Sequence, residues 1–313
     1  MVMEIAIFAG SGNPPLAAAI ASALGVPLGH RRLARSPDGE LRVEIQDNVR
    51  ARDVFLVQPT GPPLDRNLME LLFLADACRR AGANQVTAVV PYFGYARQDR
   101  SASGQQALGA RLMPDLLRMA GVGRVVTVDL HTTAIESAFG VALEHVSAVN
   151  LLCGALTPPP ADSIVVAADM AALRLAERYS RPLGLPLAIV AKVRVSDEEV
   201  AAHSVIGEVR GRTPLIVDDI IITGATIEAA LNAVVALGAV PNATVVATHG
   251  LFVGQAASRL RALPITRLLV TDSTEIAPAL ALPIEVVTLA PLLTQVIARL
   301  HAGEPLGELL GQG

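Results

Sequence analysis

Residues 214–226 read PLIVDDIIITGAT, and the rest of the chain is organised around them. Leu215-Ile216-Val217 is a short, wholly apolar run of the kind shown by a strand buried on both faces. Two adjacent carboxylates follow, Asp218 and Asp219. The loop Ile222-Thr223-Gly224-Ala225-Thr226 then leads into a helical pattern, IEAALNAVVALGA. A buried strand, an acidic pair, a hydroxyl-rich loop and a helix start together suit a phosphorylated sugar. The loop carries backbone N–H groups and two Thr hydroxyls to a helix N-terminus, where an anion is favoured. Gly224 lets the backbone approach that anion closely. Asp218 and Asp219, at the strand's carboxyl end, suit a pair of vicinal ribose hydroxyls, or a Mg2+ held directly or through water.

Outward from this stretch, short apolar strands alternate with helices. Strands are expected at residues 5–8, 54–58, 86–90, 124–128, 163–167, 187–190, 215–217, 244–248, 267–270 and 285–288. Helices are expected at 15–24, 67–80, 107–120 and 291–301. Such alternation predicts an α/β fold with parallel sheets flanked by helices. The halves also repeat. VFLVQPTGPP (54–63) lies over PLIVDDIIITGAT, and AGANQVTAVVPYF (81–93) over LGAVPNATVVATHGLF (237–252), at an offset of about 160 residues. The expected organisation is therefore two tandem domains of one type, 1–148 and 149–313, joined near LTPPP, a stiff connector. The first is degenerate, with Gln58-Pro59 where the second has its acidic pair.

At 313 residues the chain has room for two domains, and its net charge of −4 gives no broad attraction for nucleic acid. No apolar run reaches the length of a membrane span, and MVMEIAIFAG reads as a first strand rather than a secretory leader. Cys78 and Cys153 sit in apolar helical contexts without metal-ligand spacing. A soluble, cytoplasmic protein of a reducing compartment is the expectation.

Four further stretches carry chemistry. PYFGYARQDR (91–100) places Arg97 and Arg100 around Gln98-Asp99, and guanidinium forks pair with phosphate oxygens. In TVDLHTTA (127–134), His131 lies just past a strand, where α/β folds bind ligands, as a metal ligand or a phosphate contact. SPDGELRVEI (36–45) carries a hairpin turn at Asp38-Gly39, with Asp38 and Glu40 suited to the edge of a base. AKVRVSDEE (191–199) leads Lys192 and Arg194 into a polar stretch without periodicity, expected as a mobile lid whose cations stabilise charge during phosphoryl transfer.

VDDxxxTGxT resembles the phosphoribosyl-diphosphate loop of the phosphoribosyltransferase fold. PYFGYARQDR, TVDLH, VVATHG, LLVTDS and TLAPLL extend the likeness over essentially the whole chain, which resembles the ribose-phosphate pyrophosphokinase family. The resemblance implies that ATP passes its diphosphoryl group to O1 of ribose 5-phosphate in a Mg2+-dependent reaction. Asp218 and Asp219 would hold the ribose hydroxyls, and Ile222, Thr223, Gly224, Ala225 and Thr226 the 5-phosphate. Asp38 and Glu40 would bind adenine, with Arg97, Gln98, Asp99 and Arg100 completing the ATP site. His131 and Asp169 would serve Mg2+, and Lys192, Arg194 and His131 would be catalytic. A homo-oligomer of dimers, arranged as a hexamer, is also implied. The chain departs from the family at Ser36, where a Phe usually stacks on adenine, and at the uncharged SASGQQALG after Arg100, which replaces a basic segment. These departures keep two alternatives open: a divergent enzyme with another phosphoryl donor or pentose phosphate, and a non-catalytic regulatory subunit.

Overall fold

A computed structural model of the chain describes residues 4–100, 104–194, 200–276 and 282–310. It divides into two units.

The first unit runs β1 (Ile5–Ala9), α1 (Pro14–Ala23), β2 (Arg31–Arg35), β3 (Leu41–Ile45), β4 (Asp53–Val57), α2 (Leu64–Arg80), β5 (Gln85–Val90), α3 (Gly109–Ala120), β6 (Arg124–Val128) and β7 (Ala142–Val146). Local chemistry sets the ends. The Asn13 side chain accepts from the Leu16 N–H at 3.1 Å and Pro14 opens the first turn of α1. α3 stops at Gly121, whose φ of 104° the absence of a Cβ allows. β1, β4, β5, β6 and β7 pair in parallel in that order. β2 and β3 form a separate antiparallel hairpin that packs on α2, its Leu33, Val43 and Ile45 closing over the core built on Phe8, Leu56, Leu71 and Leu74.

The second unit runs α4 (Val149–Leu156), β8 (Ser163–Ala167), α5 (Leu173–Leu183), β9 (Leu187–Arg194), β10 (Val200–Ile206), β11 (Thr213–Ile221), α6 (Ala225–Ala236), β12 (Ala243–Gly250), α7 (Ala256–Arg261), β13 (Ile265–Thr271) and β14 (Ile284–Val287). Its sheet has the order β10-β9-β8-β11-β12-β13-β14. All pairs are parallel except β10 on β9. Ile164, Val166, Ile216, Val245 and Leu268 fill the core on one face, under α6.

From β1 to β7 and from β8 to β14 the succession of strands is the same: strand, helix, three strands, helix, strand, helix, two strands. The repeat in the sequence is thus a repeat of whole elements. One difference matters for function. In the first unit the third and second strands leave the sheet as a hairpin, so its chain order never reverses. In the second unit β9 lies on one side of β8 and β11 on the other, which opens a crevice at their carboxyl ends.

Three expectations are corrected. β11 does not end at Val217. It continues through Asp218 and Asp219 to Ile221, because Asp218, Ile220 and Ile221 still pair with Ala247, His249 and Gly250 of β12 after β8 has ended. The strand expected at 187–190 runs on to Arg194, and β10, which was not among the expected strands, pairs antiparallel with it, His203 opposite Lys192. Residues 195–199 lie outside the described residues, as do the side chains of Lys192 and Arg194. The last helix, α8 (Ala290–Ala302), belongs to the first unit, not to the contiguous stretch 149–313; it packs on α1 with Leu293, Val296 and Ile297 buried. No helix of the described residues is long and apolar enough to cross a membrane. Cys78 and Cys153 are buried free thiols, and desolvation pushes their pKa values up to about 12 and about 11.

Candidate active site

In the second unit Asp169, Asp218, Asp219 and the loop 222–226 meet at the crevice between β8 and β11. Asp169 follows β8. Its Oδ1 accepts from the Ala171 and Ala172 N–H groups at 2.9 and 3.0 Å and shapes the turn into α5. Asp218 is half-buried, and its pKa lies well above the ordinary carboxylate value. Desolvation is the largest cause, and the charges of Asp219 and Asp169 add to it. The Asp219 N–H donates to Asp218 Oδ1 at 2.9 Å, a partial relief. Three carboxylates therefore face one crevice, in a field that favours hydroxyl donors or a cation.

The loop ends at Gly224, the N-cap of α6, with a φ of 75°. No side chain among the described residues caps this helix. The first-turn N–H groups of any α-helix lack intrahelical acceptors, and such a terminus favours an anion. The loop is braced from behind. Leu251 and Phe252 donate their N–H groups to the Ile221 carbonyl, and Val253 donates to that of Ile222. Arg259 of α7 donates from Nη1 to the Thr223 carbonyl at 2.6 Å and pairs through Nε with Glu228 Oε2 at 2.8 Å. Sequence reasoning missed Arg259 and Glu228. The two are 31 positions apart and carry no motif; only their meeting at Thr223 marks them.

The first unit closes the equivalent place. Gln58, which stands where the repeat has Asp218, accepts from the Gly12 N–H at 2.9 Å and donates to the Asn67 carbonyl at 3.1 Å. Glu70, almost fully buried, takes Ser11 N–H at 3.1 Å and Arg66 at 3.2 Å. Pro59, Pro62 and Pro63 strip the following loop of three N–H donors.

The residues expected on the ATP side of the first unit sit on three segments. Arg97, Gln98 and Arg100 are exposed on the loop after β5, with Asp99 half-buried and 3.6 Å from the Arg100 guanidinium. Tyr92 and Phe93, ahead of them in the same loop, are buried. Phe93 meets Phe139 edge-on at 5.2 Å, so they anchor the loop to the core. Tyr95, in the left-handed region at φ 64°, hydrogen-bonds Asp65 through its hydroxyl, and this bond raises its pKa. His131 is exposed on the loop after β6, the strand next to β5. That loop is held by Ser147 Oγ donating to Asp129 at 2.8 Å and by the Leu130 N–H donating to His145 Nε2 at 2.8 Å. Asp38 and Glu40 are exposed in the β2–β3 turn. The Glu40 N–H donates to Asp38 Oδ1 at 3.1 Å, so Asp38 also shapes the turn. Ser36 lines a pocket of about 530 Å3 with Arg32, Arg42 and Glu44. Its hydroxyl is buried without a partner.

Two family models match the chain. One describes the N-terminal domain of ribose phosphate pyrophosphokinase and covers residues 5–121; the other describes a phosphoribosyl transferase domain and covers residues 159–255. A ribose-phosphate pyrophosphokinase of Gloeobacter violaceus is 40% identical over 301 residues, 95% of this chain and 90% of the relative. One of Burkholderia pseudomallei is 38% identical over 98% of this chain and 97% of the relative. The crystal structure of phosphoribosylpyrophosphate synthetase from Mycobacterium smegmatis superposes with a TM-score of 0.90 at 35% identity, over 96% of this chain and 99% of that one. Sequence models of both halves, full-length relatives and a full-length structure agree: the chain belongs to the ribose-phosphate pyrophosphokinase family.

Proposed function

We propose that the chain transfers the diphosphoryl group of ATP to O1 of ribose 5-phosphate, giving 5-phosphoribosyl 1-diphosphate and AMP. The observation that carries this reading is the crevice at β8 and β11, where an uncapped helix N-terminus lies beside an acidic pair. The loop 222–226 takes the 5-phosphate, while Asp218 and Asp219 accept hydrogen bonds from the ribose 2- and 3-hydroxyls. That fixes the sugar with O1 ready to attack the β-phosphorus. The α–β bridging bond then breaks, the electron pair leaves with AMP, and the O1 proton passes to water. Lys192 and Arg194 stabilise the charge that spreads over the transferred group. Arg97, Gln98, Asp99 and Arg100 hold the polyphosphate of ATP, and Asp38 and Glu40 its base.

Mg2+ fits the residues present. Asp169, Asp218 and Asp219 crowd one crevice with their charges in mutual repulsion, which a cation relieves. Among the described residues no group of three or more ligating side chains forms a cage. Mg2+ needs no such cage, because it keeps waters and is shared between one or two carboxylates and substrate phosphates. Asp169 and His131 are each proposed to touch a Mg2+ brought by a substrate. When bound, the ion withdraws charge from the phosphate oxygens. A cytoplasmic homo-oligomer built from dimers completes the proposal, and buried, protonated cysteines suit a reducing compartment.

The test is a phosphorus NMR time course with purified protein, Mg2+, ATP and ribose 5-phosphate. Equimolar AMP and a diphosphate ester on C1 are expected. Binding of ribose 5-phosphate without AMP formation would instead favour another donor or a regulatory subunit. Ser36→Phe is expected to lower the KM for ATP about fivefold, through ring stacking worth roughly 1 kcal/mol. The change sacrifices no hydrogen bond, because the Ser36 hydroxyl makes none. An unchanged or higher KM would remove Ser36 from the adenine contact.

A further inference from the structure

We infer that Arg259 is a positioning residue for the 5-phosphate: from α7 it orients the peptide that presents the loop's N–H groups. The inference rests on the assignment of loop 222–226 to the sugar phosphate. Arg259 Nη1 holds the Thr223 carbonyl at 2.6 Å. In a trans peptide the carbonyl and the following N–H point in opposite directions. Pinning the Thr223 carbonyl toward α7 therefore turns the Gly224 N–H to the opposite side of the loop, the side open to the anion.

The geometry around this bond favours one orientation. Gly224 has a φ of 75°, the left-handed state that glycine adopts without a steric penalty, and the same freedom would let an unheld peptide rotate. A Cβ at Gly224 would lie 3.1 Å from Leu260, so α7 also closes the loop's rear by packing. Glu228, in the first turn of α6, takes the Arg259 Nε at 2.8 Å. The guanidinium thus spans two elements, clamping the loop carbonyl with one edge and the helix that follows with the other. Its charge is matched by Glu228, so its contribution is orientation rather than direct attraction of phosphate. The Arg259 side chain is only about a quarter exposed, at 27%, which limits its freedom to leave these contacts. Lysine offers one compact ammonium in place of the fork and keeps only one of the two contacts at a time.

The experiment compares the full-length wild type with Arg259→Met and Arg259→Lys. It measures KM for ribose 5-phosphate, KM for ATP, kcat, and direct ribose 5-phosphate binding by calorimetry. Arg259→Met is expected to raise both the KM and the dissociation constant for ribose 5-phosphate about tenfold, the weight of a charge-assisted hydrogen bond, with the KM for ATP within about twofold. Arg259→Lys should fall between the two. A ribose 5-phosphate KM unchanged in Arg259→Met, or KM values for both substrates rising together, overturns the positioning role. Failure of the wild type itself to bind ribose 5-phosphate would instead overturn the assignment of the loop, and so separates the two ideas.

Discussion

Lys192→Ala is expected to lower kcat by about three orders of magnitude while leaving both KM values near their wild-type levels. Diphosphoryl transfer gives the protein little covalent chemistry to perform, so the rate depends on placing positive charge where negative charge spreads in the transition state. A cation that acts mainly there, and not on the bound substrates, shows itself in kcat. Lys192 stands on β9 opposite His203 of β10, in a hairpin whose strands are held by their backbone ladder. Truncating one side chain leaves that ladder intact, so far-UV circular dichroism and the thermal midpoint should hold. Steady-state kinetics at saturating ATP and ribose 5-phosphate is the measurement. Near-normal turnover would remove the hairpin from the mechanism and move the cationic role to Arg97 or Arg100.

Asp218→Asn should separate stability from function in opposite directions. Burial, Asp219 and Asp169 raise the folded pKa of Asp218 above its ordinary value of 3.8. Between that value and the raised one, the folded chain binds more protons than the unfolded chain, so stability falls as pH rises through the window. At pH 7.5, above the ordinary carboxylate range, the wild type carries this cost and the neutral amide does not. The variant is expected to be more stable there by roughly 1 kcal/mol, and the gap should close as the pH is lowered toward 4. Catalysis should move the other way. Losing a charged acceptor of ribose hydroxyls is expected to cost about a hundredfold in kcat/KM for ribose 5-phosphate. Denaturant unfolding at several pH values, paired with kinetics, checks both halves. A variant less stable than the wild type at pH 8 would show that the three carboxylates do not repel one another as the geometry requires.

The two predictions rest on features of unequal legibility. Asp218, Asp219 and the TGxT loop were readable because their signal is contiguous: an apolar run, two acids, a glycine and a helix start fall within residues 214–226. The extent of β11 was not. Aspartate is a poor strand former, so a local reading ends the strand at Val217, yet pairing with Ala247, His249 and Gly250 carries it on to Ile221. The hairpin that bears Lys192 was hidden for a similar reason. VAAHSVI lacks strict alternation and becomes a strand only because β9 offers it a free edge.

The sequence by itself determined most of the alternating strands and helices, though not β7 or β10, together with the internal repeat and the half of that repeat that carries the acidic pair and the TGxT loop. Each of these depends on residues close together along the chain, where apolar periodicity, turn residues and acidic pairs act through local geometry. Only the tertiary structure decided the strand order that reverses between β8 and β11, the crevice this opens, and the three carboxylates it gathers from positions 169, 218 and 219. It also decided that Arg259 reaches the carbonyl of Thr223, 36 residues away in the chain. Pairing and packing between distant segments are chosen by the energy of the whole fold, and no window of sequence contains both partners.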